Sequence, residues 1–223
     1  LPPLGRADEV AKWLDQTFDA INYEEVLCSD EGPENGDFDD STDEFIYGES
    51  SVRFFLSILD RALDVHPHQS DEPSGSGFVD LGGGKGQLAL AAACVEPRRL
   101  SGKCVSLELL PELCAIGAGA AAVATAASPS MGRVAAVEGS MYDVPTLNGP
   151  CAIRAAAFVY AYATKFSSAD GVHVEQLSAA LAASELPRGT VVTTVNRRLC
   201  EADVCCRLSI PHACMHAYMC GSR

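Results

Sequence analysis

The chain has 223 residues, 48% of them hydrophobic, and its formal net charge is −14. This length and apolar share predict a globular protein with one substantial core. The basic pairs Arg98 and Arg99, and Arg197 and Arg198, do not extend into a stripe, so we expect no independent nucleic-acid binding. No apolar run approaches the roughly 20 residues needed to cross a bilayer, so no membrane partner is expected.

The first 65 residues are predicted to form two helices separated by an acidic segment. Residues Ala7–Cys28 and Ser51–Val65 both carry apolar side chains at helical spacing. The segment Ser29–Glu44 has eight acidic residues and no basic one, so we expect a solvated loop or linker there. Both a solubilising surface and a docking site for a basic tail fit this composition.

From Phe78 to Val195 the chain alternates between strand patterns and helix patterns. The predicted strands are Phe78–Leu81, Cys104–Leu107, Val134–Val137, Ala156–Tyr160 and Gly189–Val195. The predicted helices are Gln87–Val95, Pro111–Ala127 and Val174–Ser184. This alternation predicts an α/β fold with a mostly parallel sheet and helices on both faces. Such sheets bind ligands at the carboxyl ends of their strands.

A glycine-rich loop follows the first of these strands, in the stretch FVDLGGGKGQ. Glycine weakens any strand or helix that it interrupts, so something must require bare backbone there. A phosphate-binding P-loop needs G-x-x-x-x-G-K-[ST], but here Lys85 lies inside the glycines and Gln87 follows them. A dinucleotide loop needs G-x-G-x-x-G, and here the third glycine, Gly86, comes one residue early. The spacing therefore excludes both of these ligand classes.

The remaining pattern is an acidic residue on the strand followed by glycines at alternate positions: Asp80, Gly82, Gly84 and Gly86. It resembles motif I of class I S-adenosylmethionine (SAM) methyltransferases. Bare backbone lets the ribose and the amino-acid end of SAM approach, and Asp80 can accept from the ligand's ammonium group, directly or through water. Glu108, at the end of the second strand, is a bidentate acceptor for two ribose hydroxyls. These features predict SAM as the cofactor and a Rossmann-like class I methyltransferase fold.

Two segments narrow the resemblance to one family. FIYGES, Phe45 to Ser50, and FVDLGGGKGQLAL together resemble the disruptor-of-telomeric-silencing histone lysine methyltransferases, the non-SET class. The resemblance covers about Phe45 to Val195. It implies methyl transfer to a lysine ε-amine of a basic protein, a histone, in the nucleus; another acceptor would place the chain in the cytoplasm. The site residues that it implies are Tyr47 and Ser50 at the methionine end, Asp80, Gly82 and Gln87 along the cofactor, and Glu108 at the ribose.

The stretch VEGSMYDV, after the third predicted strand, resembles the segment with which this family grips adenine. The family has an acidic residue and then an aromatic one there, whereas this chain has Ser140 and Met141. A serine can hydrogen-bond the adenine amine and a methionine can pack on the ring, so both are candidate cofactor residues. Tyr142 or Asp143 is a candidate to replace the missing aromatic and acidic side chains. We expect this chain to bind the cofactor more weakly than the family does.

The catalytic region departs further from the family pattern. After the fourth strand the family carries an asparagine-containing loop that ends in phenylalanine, and FVYAYATKF aligns Tyr162 and Phe166 with those two positions. Lysine methylation is an in-line displacement in which a neutral amine attacks the methyl group. Burial favours this neutral form of the lysine, and the amine nitrogen must lie about 3–3.5 Å from the methyl carbon. Tyr47, Tyr162 and Phe166 are therefore the candidate catalytic residues, as walls of an aromatic channel. Core packing is an equally good role for Tyr160 and Phe166.

The sequence predicts four regions: an N-terminal helical segment (1–28), an acidic loop or linker (29–44), a SAM-binding domain (45–200) and a tail rich in Cys and His (201–223). The tail lacks alternating β character, so we expect the hairpin that closes a class I domain to be incomplete. Seven Cys and His residues lie between Cys200 and Cys220, but they lack a paired C-x-x-C spacing, and no metal is assigned to them.

Two other functions fit the same residues. One is a SAM-fold module that binds cofactor weakly and serves in a complex, which the departures at Tyr162 and Ser140 favour. The other is a small-molecule methyltransferase, because substrate-binding elements vary most among these enzymes. The chain has no [Asp/Asn]-Pro-Pro-aromatic element after the fourth strand and no Pro-Cys pair, so a protein substrate is favoured over a nucleobase.

Overall fold

The computed structural model describes residues 7–18, 50–65, 76–95, 100–163, 169–200, 206–208 and 215–219. The helices are α1 (Ala7–Phe18), α2 (Val52–Val65), α3 (Gln87–Val95), α4 (Pro111–Ala127), α5 (Val144–Asn148) and α6 (Glu175–Ala183). The strands are β1 (Gly77–Leu81), β2 (Cys104–Glu108), β3 (Val134–Glu138), β4 (Ala156–Ala161), β5 (Val191–Val195), β6 (Cys206–Leu208) and β7 (Met215–Met219). Short 3₁₀ turns precede β3 and β4.

All seven strands form one sheet, in the order β3-β2-β1-β4-β5-β7-β6. Strands β1 to β5 are parallel, whereas β7 is antiparallel to both β5 and β6. The chain builds outward from β1 to β3 and then crosses to β4 on the other side of β1, so the strand order reverses between β1 and β4. The carboxyl ends of these strands at the reversal are where an α/β sheet is expected to bind its ligand.

Helices cover both faces of the sheet. On one face, residues of α1, α2 and α3 pack with Phe78, Phe158 and Tyr160 of the central strands. On the other face, α5 and α6 pack over alternate residues of the same strands, including Val79 and Val159. Every residue of β1, β4 and β5 is buried, so their sequences do not alternate between apolar and polar residues.

The element predictions are confirmed within the described residues. The five predicted strands and the helices α2, α3, α4 and α6 differ from the observed ones by at most two residues at any end. The α/β class, the mostly parallel sheet and the helices on both faces are likewise as predicted. The first helix is described as Ala7–Phe18, so the predicted continuation to Cys28 lies outside the described residues.

The expectation of an incomplete closing hairpin is wrong. Strands β6 and β7 both form in the tail, and β7 pairs with β5 along its full length, from Val191 opposite Met219 to Val195 opposite Met215. Alternation is absent from the sequence of β7 because this strand is buried on both faces. His216, Ala217 and Tyr218 are consecutive and all buried, so both faces of β7 are covered.

The described residues contain neither a membrane-spanning helix nor a metal-binding cluster. No helix among them is long and apolar enough to cross a membrane. In that same part of the chain, no group of three or more His, Cys, Asp or Glu side chains is placed to hold a metal ion. Of the tail's seven Cys and His residues, Cys200, Cys206 and His216 are described, and the other four are not.

Candidate functional site

The glycine loop joins the carboxyl end of β1 to the start of α3. Gly82, Gly84 and Gly86 have φ angles of 76°, 54° and 79°, in the left-handed region that L side chains rarely adopt. The amides of Gly82 and Gly83 both donate to the Leu107 carbonyl at 2.9 Å, which ties the loop to β2. The alternate glycines predicted from the sequence are thus required by the backbone conformation of the turn.

Gly83 is needed for a different reason, which sequence reasoning missed. A Cβ atom at this position would lie 2.3 Å from Ser106 Oγ and 2.9 Å from Asp80 Oδ2. The loop backbone therefore lies directly against two polar side chains of β1 and β2. Ser106 was also missed, although a lone serine within the apolar strand CVSLE is a signal for it.

Asp80 is a buried carboxyl group beneath this loop. It is 2% exposed and lies beside Ser106, its register partner on β2. Burial, and secondarily the Glu108 carboxylate, raises the pKa of Asp80 from 3.8 to about 8. Asp80 Oδ2 and Ser106 Oγ have no hydrogen-bond partner among the described residues. Such groups are costly to bury, and a cationic donor from a ligand would offset the cost at Asp80.

Glu108 is held rigidly at the end of β2. The Gly84 amide donates to its Oε2 at 2.8 Å and the Leu110 amide donates to its Oε1 at 2.9 Å. A carboxylate oxygen accepts more than one hydrogen bond, so both oxygens can still receive hydroxyl donors. These two amides hold the carboxylate plane in one orientation, which suits a bidentate acceptor.

The residues after β3 lie next to Glu108, because the Gly139 amide donates to the Glu108 carbonyl at 2.9 Å. Ser140 Oγ accepts from the Tyr142 amide at 3.2 Å, and Met141 packs on the core. Asp143 caps α5, where its Oδ2 accepts from the Thr146 amide at 3.0 Å. This contact engages Oδ2 of Asp143 at the start of α5.

Two exposed apolar side chains flank the same strand ends. Leu109 follows Glu108 and is 50% exposed, and Tyr142 is 36% exposed. Exposed apolar side chains next to the polar groups at these strand ends are candidate walls for a flat ring. Sequence reasoning missed Leu109, because a leucine after a strand carries no distinctive signal.

The remaining candidate residues lie at β4 and at the two helix starts. Tyr162 follows β4 directly and is half-buried against the core of the α2 face. Gln87 begins α3 and is half-buried, and Ser50 is buried just before α2. Tyr47 and Phe166 lie outside the described residues. Asp80, the glycine loop, Glu108, Ser140 and Met141 therefore share one end of the sheet, as predicted from their positions after strands.

Comparison with known proteins shows which solved structures share this fold. No family model and no curated protein matches the sequence. Two structures of the rRNA methyltransferase aviRa from Streptomyces viridochromogenes, at 1.5 Å and 2.4 Å, superpose with TM-scores of 0.51 and 0.50. They are 18% and 17% identical in sequence, and the match covers 81% of this chain and 92% of theirs. The fold is that of class I methyltransferases.

An RNA methyltransferase from Salinibacter ruber, solved with S-adenosyl-L-homocysteine, is also similar, with a TM-score of 0.49. It is 16% identical, and the match covers 75% of this chain and 92% of that one. At 17–18% identity, the likeness to the two aviRa structures shows the fold and does not extend to the methyl acceptor.

Proposed function

We propose that this chain is a SAM-dependent methyltransferase. The observation that carries the proposal is Asp80, a buried carboxyl group with an unpartnered oxygen directly under a left-handed glycine loop. SAM carries an ammonium group and a sulfonium, so its methionine end supplies the positive charge that such a carboxylate requires. Glu108, on the adjacent strand, is oriented by two backbone amides for a second, neutral partner.

In this proposal, different residues of the chain contact different parts of SAM. Asp80 accepts from the ammonium group, and Glu108 accepts from the two ribose hydroxyls. Adenine lies beyond Glu108, between the ends of β2 and β3. The residues proposed to contact it are Ser140, Met141, Leu109 and Tyr142. The bare backbone of Gly82, Gly84 and Gly86, with Gln87 after them, lets the ligand approach the strand ends closely.

The proposed acceptor is a lysine ε-amine of a basic protein, a histone, which places the chain in the nucleus. The formal net charge of −14 favours a cationic polypeptide over RNA, even though the fold is shared with rRNA methyltransferases. The segments FIYGES and FVDLGGGKGQ, with their resemblance to non-SET histone lysine methyltransferases, support the same acceptor.

The chain's part in the reaction is to desolvate and align the amine. SAM supplies an electrophilic methyl group when it is bound. In this proposal Tyr162, half-buried just after β4, lines the acceptor side, and Tyr47 and Phe166 are the other walls. An apolar, aromatic channel disfavours the charged ammonium form of lysine, so the neutral nucleophile is populated without a dedicated base. Alignment within about 3–3.5 Å of the methyl carbon supplies the remaining rate enhancement.

The departures from the family pattern favour a second candidate function. Tyr162 stands where the family has asparagine, and Ser140 stands where it has an acidic residue. Loss of those groups fits a SAM-binding module that works in a complex without catalysis of its own. The two functions differ in one observable, since both require SAM binding but only the enzyme transfers the methyl group.

Calorimetric titration with SAM tests the cofactor. We expect the wild-type chain to bind, and Glu108→Ala to weaken binding by about 1–3 kcal/mol, because hydrogen bonds to a charged acceptor are lost. The control is Glu185→Ala, which removes an exposed carboxylate between α6 and β5, at the opposite end of the sheet, and should leave the dissociation constant unchanged. An absence of binding by the wild-type chain, or equal affinities for Glu108→Ala and the wild type, would contradict the proposal.

Labelled SAM tests the acceptor. The protein is incubated with nucleosomes, with free histones and with ribosomal RNA, and the product is analysed by mass spectrometry. Transfer to a histone lysine is the expected result. Transfer to RNA alone would overturn the acceptor while leaving the cofactor assignment intact. Binding without transfer to any of these would favour the non-catalytic module or a small-molecule acceptor.

A further inference from the structure

A tyrosine of the central sheet is hydrogen-bonded to the segment that precedes α2. Tyr160 lies in β4, is fully buried, and is the register partner of Asp80. Its hydroxyl donates to Ser50 Oγ at 3.0 Å, across 110 positions of sequence. Ser50 is itself buried, at 8% exposure, and is the last residue of the FIYGES segment. The contact therefore ties Ser50, just before α2, to the strand next to Asp80.

Packing explains the ring of Tyr160 but not its hydroxyl. The ring meets Phe55 edge-on with centroids 5.3 Å apart and lies 6.3 Å from Phe158. A phenylalanine at this position would preserve both aromatic contacts. A buried hydroxyl without a partner costs free energy, so its presence here requires the Ser50 contact or one like it. The hydroxyl is thus a specific feature of the link to Ser50.

The direction of this hydrogen bond determines what Ser50 can do. A serine hydroxyl has one proton to donate and lone pairs with which to accept. Because Ser50 Oγ accepts from Tyr160, its own proton stays available for an acceptor on another group. Asp80, beside Tyr160 in the sheet, is suited to a cation. The two side chains therefore offer complementary contacts, an acceptor at Asp80 and a donor at Ser50.

We propose that Tyr160 is a positioning residue, which orients the Ser50 hydroxyl to donate to the carboxylate at the methionine end of SAM. The inference rests on the proposed function, because it assigns a contact within that cofactor site. The zwitterionic end of the ligand is then recognised at both charges, its ammonium by Asp80 and its carboxylate by Ser50. In this role Tyr160 acts through Ser50.

The test compares two ligands that differ at the methionine end. 5′-Methylthioadenosine keeps the adenine and ribose of SAM but lacks the amino and carboxylate groups. Tyr160→Phe is expected to weaken SAM binding about threefold to tenfold, the range for one misplaced hydrogen bond, and to leave methylthioadenosine binding unchanged. An equal loss for both ligands would overturn the inference, since it would indicate a general disturbance of the fold.

Two further variants separate positioning from stability. Tyr218→Phe removes another buried hydroxyl, which accepts from the Leu199 amide at 3.0 Å in the core of the opposite face. It should lower the melting temperature without changing the affinity for SAM. In a Ser50→Ala background, which should itself weaken SAM binding, Tyr160→Phe is expected to have no further effect. Independent, multiplying effects of the two substitutions would overturn the inference.

The outcomes distinguish this inference from the proposed function. A wild-type chain that binds neither SAM nor methylthioadenosine would overturn both. A wild-type chain that binds SAM, with Tyr160→Phe binding it equally well, would overturn only the role of Tyr160.

Discussion

The ionised form of Asp80 lowers the stability of the folded chain, although the same form is the one expected to bind a cationic ligand. Burial, and secondarily the neighbouring Glu108 carboxylate, raises the pKa of the Asp80 carboxyl group from 3.8 to about 8. Between these two pH values the folded chain holds a proton on Asp80 that the unfolded chain has lost. The stability associated with the neutral form is therefore fully present below pH 3.8 and is lost as the pH rises toward about 8. A residue retained at such a cost at neutral pH is expected to serve a ligand.

Asp80→Asn is the substitution that separates these two effects. The amide is isosteric and cannot ionise, so we expect it to remove the fall in stability between pH 5 and pH 8 that Asp80 causes. At pH 8 the free energy of unfolding should rise by an amount on the order of a few kcal/mol. SAM binding should weaken, because an amide does not neutralise the ammonium group. Guanidinium unfolding at several pH values measures the first effect, and an unchanged pH dependence would contradict it.

At the scale of elements, the glycine loop is confined by α4 on one side and α1 on the other. A Cβ atom on Gly117 of α4 would lie 3.0 Å from the Lys85 carbonyl oxygen, so helix and loop backbone are in direct contact. The Lys85 ammonium lies 5.1 Å from the ring centroid of Phe18, at the end of α1. The conformation of the glycine loop thus depends on helices before and after it in the chain.

Gly117→Ala tests the contact between α4 and the loop. The added methyl group must displace the Lys85 backbone, and we expect weaker SAM binding together with lower stability. Gly119 is the matched control in the same helix, because a Cβ atom there meets nothing within 4 Å. Gly119→Ala should raise the free energy of unfolding by roughly 0.5–1 kcal/mol through helix propensity and leave the affinity unchanged. Equal effects of the two substitutions on SAM affinity would rule out the loop contact.

For the whole molecule, the sheet joins two apolar clusters into one structure. The residues of β1, β4 and β5 contribute alternately to the cluster under α1, α2 and α3 and to the cluster under α5 and α6. Neither cluster persists without these strands, so both faces should unfold together. Buried thiols report on each face: Cys94 and Cys104 belong to the first cluster, and Cys151 belongs to the second.

Thiol alkylation measures this cooperativity. Burial raises the pKa of Cys94 to about 12 and the pKa values of Cys104 and Cys151 to about 11. At pH 8 all three should resist iodoacetamide in the native chain, because the thiolate is the reactive form and the side chains are covered. They should become labelled together across a guanidinium titration followed by mass spectrometry. Labelling of Cys151 at a lower denaturant concentration than Cys94 would show that the faces unfold separately.

The sequence by itself determined the order and type of the elements from β1 to β5, the turn at Gly82, Gly84 and Gly86, and the place of Glu108. These follow from local patterns: continuous apolar runs, helical spacing, and glycines at alternate positions after a strand. The parallel topology follows from the alternation of strands with helices. No contact between distant residues is needed for any of these conclusions.

Only the tertiary structure decided the features that depend on residues far apart in the chain. The tail forms β6 and β7 because β5 offers an unpaired edge, which no pattern within the tail reveals. Gly83 is required by Ser106, and the Tyr160 hydroxyl is explained by Ser50, 110 positions earlier. The sequence shows Asp80 only as a residue of a motif. In the folded chain, burial raises the pKa of its carboxyl group and leaves Oδ2 without a hydrogen-bond partner among the described residues. Burial and contact are properties of the folded chain, so a linear pattern of residue types does not contain them.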